Sequence, residues 1–256
     1  MNGKLRRDAI IEIMQKQGYT TVQYLTKALH YSTATINRDL NILQNQHIIK
    51  RSYGGAELVK NKGIPVIFRY NKAKTEKRHI GMKAASFVED GDTIFIDATT
   101  TTQCMAQYLT NRKNLTVITN NMAVATYLSG YKINTICLGG AIVEPPCMLG
   151  GDQTVENIMK YRANKMFFST RGITPDNKIA GSIYYLIHKI MMQNSSRIYY
   201  LVDHEKVHVD CNTILCTFEE VDYVISDYLF TEELAQKYPD TTFVYVEKNS
   251  SSNDWQ

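Results

Sequence analysis

The sequence of 256 residues has no apolar run near the roughly 20 residues needed to cross a bilayer. Its first residues mix Lys4, Arg6 and Arg7 with Asp8 and Glu12, and no secretory apolar stretch or cleavage site follows. A cytoplasmic protein with no membrane partner is therefore expected. Cysteine is sparse. The five are Cys104, Cys137, Cys147, Cys211 and Cys216; the count is odd, and no pair has the two-residue spacing of a zinc knuckle. In a reducing compartment disulfides do not persist, so these read as small apolar core residues. Neither a metal site nor a cofactor is expected. What the chain does have is an ordinary globular balance, 44% hydrophobic and 21% charged residues, enough to bury a real core.

The net charge of +4 is unevenly spread. Residues 1–62 hold ten Lys or Arg against four Asp or Glu, a net +6, and the rest of the chain is −2. A small basic unit on a near-neutral body points to a polyanionic partner for the small unit, although basic faces are also merely solvated.

The basic segment reads as three helices and a hairpin. Helical spacing of Ala9, Ile10, Ile13 and Met14 predicts a helix from Lys4 to Gln17, stopped by Gly18. Thr20 and Gln23 have capping-box spacing before a second helix with Val22, Leu25 and Leu29 inward. After the break at His30-Tyr31, Ser32 is a good N-cap for a third helix, Thr33 to Gln44, which buries Ile36, Leu40 and Leu43. Thr33, Thr35, Asn37, Arg38 and Asn41 are left for the more exposed positions. Short polar side chains at a helix N-terminus, with an Arg one turn on, suit base edges and phosphates. Two β-prone runs, 48–53 and 56–59, flank Gly54-Gly55 and predict a hairpin carrying Lys50 and Arg51. A three-helix domain that binds protein, or nothing, has the same spacing.

The stretch Ser32-Thr-Ala-Thr-Ile-Asn-Arg-Asp-Leu40, followed by Ile49-Lys-Arg-Ser-Tyr-Gly-Gly-Ala56, resembles the DeoR-type family of bacterial sugar-operon repressors. Departures from the family pattern are Asn37 for Arg, His47 for Gly and Tyr53 for His. The resemblance implies a winged helix-turn-helix over residues 1–59 that binds double-stranded operator DNA. Ser32, Thr33, Thr35, Asn37 and Arg38 would meet the major groove, and Lys50 and Arg51 the backbone. Asp39 is expected inside, as an ion-pair or capping partner, because a carboxylate facing phosphates is repelled.

Polar residues with Gly and Pro predict a linker over 60–73, then a domain over 74–248 and a disordered tail, 249–256, with a stray Trp255. The domain begins with a helix from Lys74 to Val88. Short apolar strands then alternate with helices: 93–96, 115–119, 135–138, 165–168, 197–202, 223–226 and 241–245. That grammar predicts an α/β domain with a mainly parallel sheet covered on both faces. Ligands in such sheets collect beyond the carboxyl ends of the strands. The clearest polar cluster there is Asp97-Ala98-Thr99-Thr100-Thr101-Thr102, which is equally a phosphate cradle or a threonine-rich helix cap.

Four segments carry the resemblance into this domain: Asp97 to Thr102, Thr119-Asn120, Gly139-Gly140 and Asp203-His-Glu-Lys206. It implies a sensor fold similar to ribose-5-phosphate isomerase and glucosamine-6-phosphate deaminase. It also implies a small phosphorylated sugar-type effector contacted by Asp97, Thr99, Thr100, Thr101, Thr102, Asn120, Gly139, Gly140 and Lys206. Thr99 stands where the family has Gly, and Ala141 to Glu144 replace a basic residue. Tyr184 and His188 align with an acid and a lysine. Arg171 is the candidate for replacing the lost positive charge.

Two other functions fit the same residues. An isomerase or deaminase would need an acid–base pair, for which Asp97 and His188 are candidates; a scaffold would use neither DNA nor ligand. The favoured reading is a homo-oligomer, dimer or tetramer, that sets paired recognition helices in successive major grooves and is released by its effector. Arg38→Ala is expected to weaken operator binding at least about tenfold in a gel-shift titration. Unchanged affinity at physiological salt would refute the assignment of the third helix.

Overall fold

The computed structural model describes residues 3–46, 48–59, 72–144, 147–182 and 184–247, with backbone alone at Gln15, Lys16 and Glu144. The chain divides into two compact units, Met1–Arg69 and Tyr70–Gln256. His47, the expected linker up to residue 71 and the expected tail with Trp255 lie outside the described residues.

The amino-terminal unit runs α1 (Gly3–Gln17), β1 (Thr20–Thr21), α2 (Val22–Leu29), α3 (Thr33–Asn45), β2 (Ile49–Ser52) and β3 (Gly55–Leu58). The strands form a small antiparallel sheet in the order β1-β3-β2. Ile10 and Met14 from α1, Leu25 from α2, and Ile36, Leu40 and Leu43 from α3 make one buried core. Each such side chain contributes about 1.5–3 kcal/mol of transfer free energy. Ser32 caps α3 as expected, accepting from the Thr35 N–H. The cap of α2 is displaced by one residue from the predicted box. Thr21, not Thr20, accepts from the Tyr24 N–H, because Thr20 is spent on the strand pair with Ala56. Asp39 faces inward, only 1% exposed, and pairs with Arg6 Nε at 2.5 Å and Arg7 at 3.4 Å. The Arg6 guanidinium also lies 4.7 Å from the centre of the Tyr31 ring.

The carboxy-terminal unit opens with α4 (Lys74–Ala85) and β4 (Thr93–Ile96), then α5 (Thr100–Gln103), β5 (Thr116–Thr119), α6 (Met122–Leu128) and β6 (Asn134–Cys137). A hairpin of β7 (Ala141–Glu144) and β8 (Met148–Gly150) precedes α7 (Asp152–Ile158) and β9 (Ala163–Phe168). There follow β10 (Gly172–Ile173), β11 (Lys178–Ala180), α8 (Tyr185–Gln193), β12 (Ser195–Val202), β13 (Ile214–Thr217), β14 (Tyr223–Ser226), α9 (Glu232–Lys237) and β15 (Thr242–Tyr245). Seven strands in the order β15-β14-β12-β9-β4-β5-β6 make a sheet whose every pair is parallel. The predicted mainly parallel sheet is thus present, with all seven strands placed within two residues of their predicted starts.

Alternation along the strands builds two cores. Ile94, Ile96, Val117, Phe167 and Leu201 meet Ile80 and Ala84 of α4 and Val124 and Leu128 of α6. Phe95, Ile118, Met166, Phe168 and Tyr200 meet Ile158 of α7 and Ile187 and Met191 of α8. The helix expected to reach Val88 ends at Ala85. Ser86 to Val88 fold into closing turns, which lay Phe87 on the Tyr199 and Tyr223 rings. The antiparallel hairpin β7–β8 and the small sheet β10-β11-β13 were not anticipated.

Removing one charge from the Asp39 pair leaves two guanidinium groups facing a neutral carbonyl. Asp39→Asn is expected to destabilise the amino-terminal unit by about 1.5–3 kcal/mol. This would be read as faster hydrogen exchange at α1 and α3 amides, with the amides of the central parallel sheet unchanged.

Candidate functional sites

In the amino-terminal unit, burying Ile36, Leu40 and Leu43 turns the opposite face of α3 to solvent. Ser32, Thr33, Arg38 and Asn41 are exposed there, with Thr35 and Asn37 half-buried. Several of the expected DNA contacts are already joined to one another. The Ser32 hydroxyl lies 2.9 Å from the Thr35 hydroxyl and accepts from the Thr35 N–H at 3.2 Å. Asn37 Nδ2 donates to the Thr33 carbonyl at 3.0 Å. Arg51, on β2, reaches back over α3 and donates to Asn37 Oδ1 at 2.5 Å and to Asn41 Oδ1 at 2.6 Å. The hairpin is thereby braced against the helix by a forked guanidinium. Thr33, Arg38 and Lys50 remain outward. Tyr53 is fully exposed at the hairpin tip, where its carbonyl accepts from the Tyr19 hydroxyl. Sequence reasoning did not assign Asn41 to the site. The signal that finds it is the i,i+4 spacing from Asn37, which puts two amides on one helical stripe.

In the carboxy-terminal unit the strand order reverses between β4 and β9, so the crevice at their carboxyl ends is the topological switch point. Asp97 follows β4 and Ser169 follows β9, one on each side of it. Asp97 is 1% exposed, and a buried carboxylate must be fully hydrogen-bonded to be tolerated. Its Oδ1 accepts from the Thr99 N–H at 3.1 Å, the Thr99 hydroxyl at 2.8 Å and the Thr102 hydroxyl at 2.5 Å. Its Oδ2 accepts from the Ser169 N–H at 3.1 Å and meets His188 Nε2 at 2.9 Å. The four threonines therefore divide. Thr99 and Thr102 are turned onto Asp97, and Thr99 also caps α5. Thr100 and Thr101 meet lysines. Lys77 Nζ donates to Thr100 Oγ1 at 3.4 Å, and Lys206 Nζ donates to Thr101 Oγ1 at 3.0 Å and Ser169 Oγ at 3.1 Å.

Lys77 was missed by sequence reasoning, because a lysine on a polar helix reads as solvated. Here α4 buries it to 3% exposure. Burial, and then the charge of Lys206, push its ammonium down from 10.5 to about 8, against the pull of Asp203. Gly172 sets the position of Lys206. Its φ is +148°, and a Cβ there would lie 2.1 Å from the Lys206 carbonyl oxygen, so only glycine allows the two backbones to meet.

Asn120 leaves β5 beside Asp97, since Ile96 and Thr119 are register partners. Its Nδ2 donates to the Leu149 carbonyl and its own carbonyl accepts from the Leu149 N–H, both at 2.9 Å, so β8 is fastened over the strand end. Gly139 and Gly140 begin the hairpin. Gly140 has φ +113°, and a Cβ would strike Thr154 Oγ1 at 2.1 Å, so this pair packs the hairpin onto α7. Arg171 is exposed after the end of β9. The structure thus gathers Asp97, Thr99 to Thr102, Asn120 and Lys206 at the carboxyl ends of the central strands, joins His188 to Asp97, and adds Lys77 and Ser169. Gly139 and Gly140 shape the hairpin beside it.

A model of the DeoR-like helix-turn-helix domain matches residues 6–62, and one of the DeoR C-terminal sensor domain matches residues 72–228. The glycerol-3-phosphate regulon repressor of Escherichia coli (strain K12) is 30% identical over 226 residues, 87% of this chain and 90% of that protein. The lactose phosphotransferase system repressor of Staphylococcus aureus (strain N315) is 29% identical over 254 residues, 96% of this chain and 99% of that protein. Among solved structures, ribose 5-phosphate isomerase A from Methanocaldococcus jannaschii matches with a TM-score of 0.39 and 17% identity, over 53% of this chain and 55% of that one. With both of its domains matched in the expected order, the chain belongs to the DeoR family.

Proposed function

We propose that this chain is a cytoplasmic, homo-oligomeric transcription repressor of a carbohydrate operon, released from double-stranded DNA by a phosphorylated sugar-type effector. The observation that carries the DNA part is the exposed face of α3, braced by Arg51, with Arg38 and Lys50 turned outward. Thr33 and Arg38 reach into the major groove. Lys50 holds a phosphate, and Arg51, Asn37, Ser32 and Thr35 set the presentation of the face and complete its contacts. Both bacterial relatives bear the names of repressors.

The effector sits at the switch point of the sheet. Its phosphate lies against Thr100, Thr101, Lys206 and Lys77, with Arg171 at the mouth, and its remaining groups reach Asp97 and Asn120 beneath the hairpin that Gly139 and Gly140 begin. Thr99 and Thr102 hold Asp97 in place. The effector binds the DNA-incompetent arrangement of the oligomer more tightly and shifts the population toward it. A regulator also fits Asp97 better than an enzyme does. Both its oxygens already accept hydrogen bonds, five in all, which leaves it poorly placed to abstract a substrate proton.

Gel shifts with operator DNA test the reading directly. Affinity should fall steeply with salt, as counterion release demands, and fall further when the cognate sugar phosphate is added. Salt-insensitive binding, or turnover of aldose or ketose phosphates above a heat-killed control, would overturn it.

Lys77 makes effector affinity depend on pH. Below about pH 8 it is charged and receives the phosphate; above it, binding must first restore the proton. Affinity for a sugar phosphate should fall by up to about tenfold per pH unit between pH 8 and 10, measured by calorimetry, and Lys77→Met should flatten that slope. The same ammonium destabilises the fold below pH 8. That penalty is relieved as pH rises toward 10.5, so Lys77→Met should raise the melting temperature of the ligand-free chain at pH 7 but not at pH 10.

A further inference from the structure

Between Lys113 and Glu144 the chain carries one charged residue, Lys132, in 30 positions. At the 21% charge of the whole sequence about six would stand there. The stretch is not buried. Thr126, Tyr127, Ser129, Tyr131, Asn134 and Cys137 are all exposed. Water-facing surface that lacks charge and holds aromatic rings has the composition of an interface centre.

The same stretch supplies the last strand of the main sheet. β6 pairs with β5 on one side, and among the described residues no strand pairs with its other side. The Asn134 N–H donates to the Leu115 carbonyl and the Leu138 N–H to the Thr119 carbonyl. Alternation therefore turns the N–H and C=O groups of Thr135 and Cys137 outward. Edge strands are ordinarily blunted by charge, proline or a bulge, and β6 has none of these. Above it, α6 buries Val124 and Leu128 and leaves an open groove against the strand. Met122, Ala125, Thr126, Ser129, Thr135 and Cys137 line that groove.

Resting on the homo-oligomer reading above, we propose that β6 pairs antiparallel with β6 of a second copy, joining two main sheets edge to edge. The two-fold axis passes Ile136, which faces its own copy. Thr135 and Cys137 then each exchange a pair of backbone hydrogen bonds with Cys137 and Thr135 of the second copy. The missing charge selects a second copy as occupant. About a two-fold axis like residues meet, so a charged edge would repel itself; here Lys132 falls opposite Gly140. A different protein would be recruited by complementary charge, which this face does not offer. The helices fit as well. α6 lies over β5 and β6, so its copy stands two strand spacings away, about 9.6 Å, within the packing distance of two helices. Ala125 and Ser129 are small enough to allow that approach.

Sedimentation of the full-length chain at micromolar concentration tests the pairing. The unaltered chain should be a dimer or larger. Thr135→Pro removes an outward donor and leaves the β5 ladder intact; Ser129→Lys sets like charges across the axis. Each should halve the mass or weaken association about tenfold, whereas Thr242→Lys on the opposite edge strand, β15, should do neither. Mixing Ser129→Lys with Ser129→Glu should restore the assembly, which misfolded chains cannot do. A bis-maleimide spanning about 8 Å, the diagonal between paired strands, should link two unaltered chains and not the Cys137→Ser chain. If the unaltered chain associates but gives no Cys137 link, or if Thr135→Pro and Ser129→Lys leave its mass unchanged, this surface is refuted and the homo-oligomer reading stands. Equal disruption by Thr242→Lys refutes it too. A monomeric unaltered chain refutes both.

Discussion

A carboxylate buried at the end of the central strand organises the carboxy-terminal unit. Asp97 is almost wholly withdrawn from water, so its charge must be answered within the protein. The donors come from the loop after β4, from α5, from the loop after β9 and from α8, and each of these is positioned by answering it. Meeting one electrostatic requirement thereby closes the floor of the switch-point crevice. It also decides which threonines of the run are turned inward and which meet lysines. Thr99, which replaces a glycine of the family pattern, is absorbed by this requirement: its hydroxyl serves Asp97 and caps α5.

The amino-terminal unit uses a related device with opposite emphasis. Asp39 draws Arg6 and Arg7 against α3 and away from its outer face. The basic surplus of the first 62 residues is therefore sorted, part of it locked beneath the helix and part of it, Arg38 and Lys50, left outward. Arg51 is intermediate. Its fork spans Asn37 and Asn41, so the hairpin and α3 present a joint surface whose shape depends on a residue the family pattern does not have at 37. Electrostatic sorting of this kind favours long-range attraction to a polyanion while keeping the folded unit internally satisfied.

Both sites thus combine groups satisfied inside the protein with groups that are not. In the sensor unit Lys77 and Lys206 meet the Thr100 and Thr101 hydroxyls, while Asn120 Oδ1 and His188 Nδ1 are buried without a hydrogen-bond partner.

Much of this was legible in the residues themselves. Period-two and period-3.6 patterning is local, so the seven strands of the main sheet and the three amino-terminal helices could be placed from it, as could the inward turn of Asp39. What patterning cannot carry is spatial order: the reversal between β4 and β9, and with it the neighbours of Asp97, arises only when the strands pair. The short antiparallel pieces β7–β8 and β10-β11-β13 escaped because two to four residues give no period to detect. Thr20 was misread as a cap because a strand pair with Ala56 competed for it. Lys77, Ser169 and the division of labour among the threonines were decided by tertiary structure alone. Whether a polar side chain is solvated, satisfied or left wanting depends on what folding brings beside it from far along the chain.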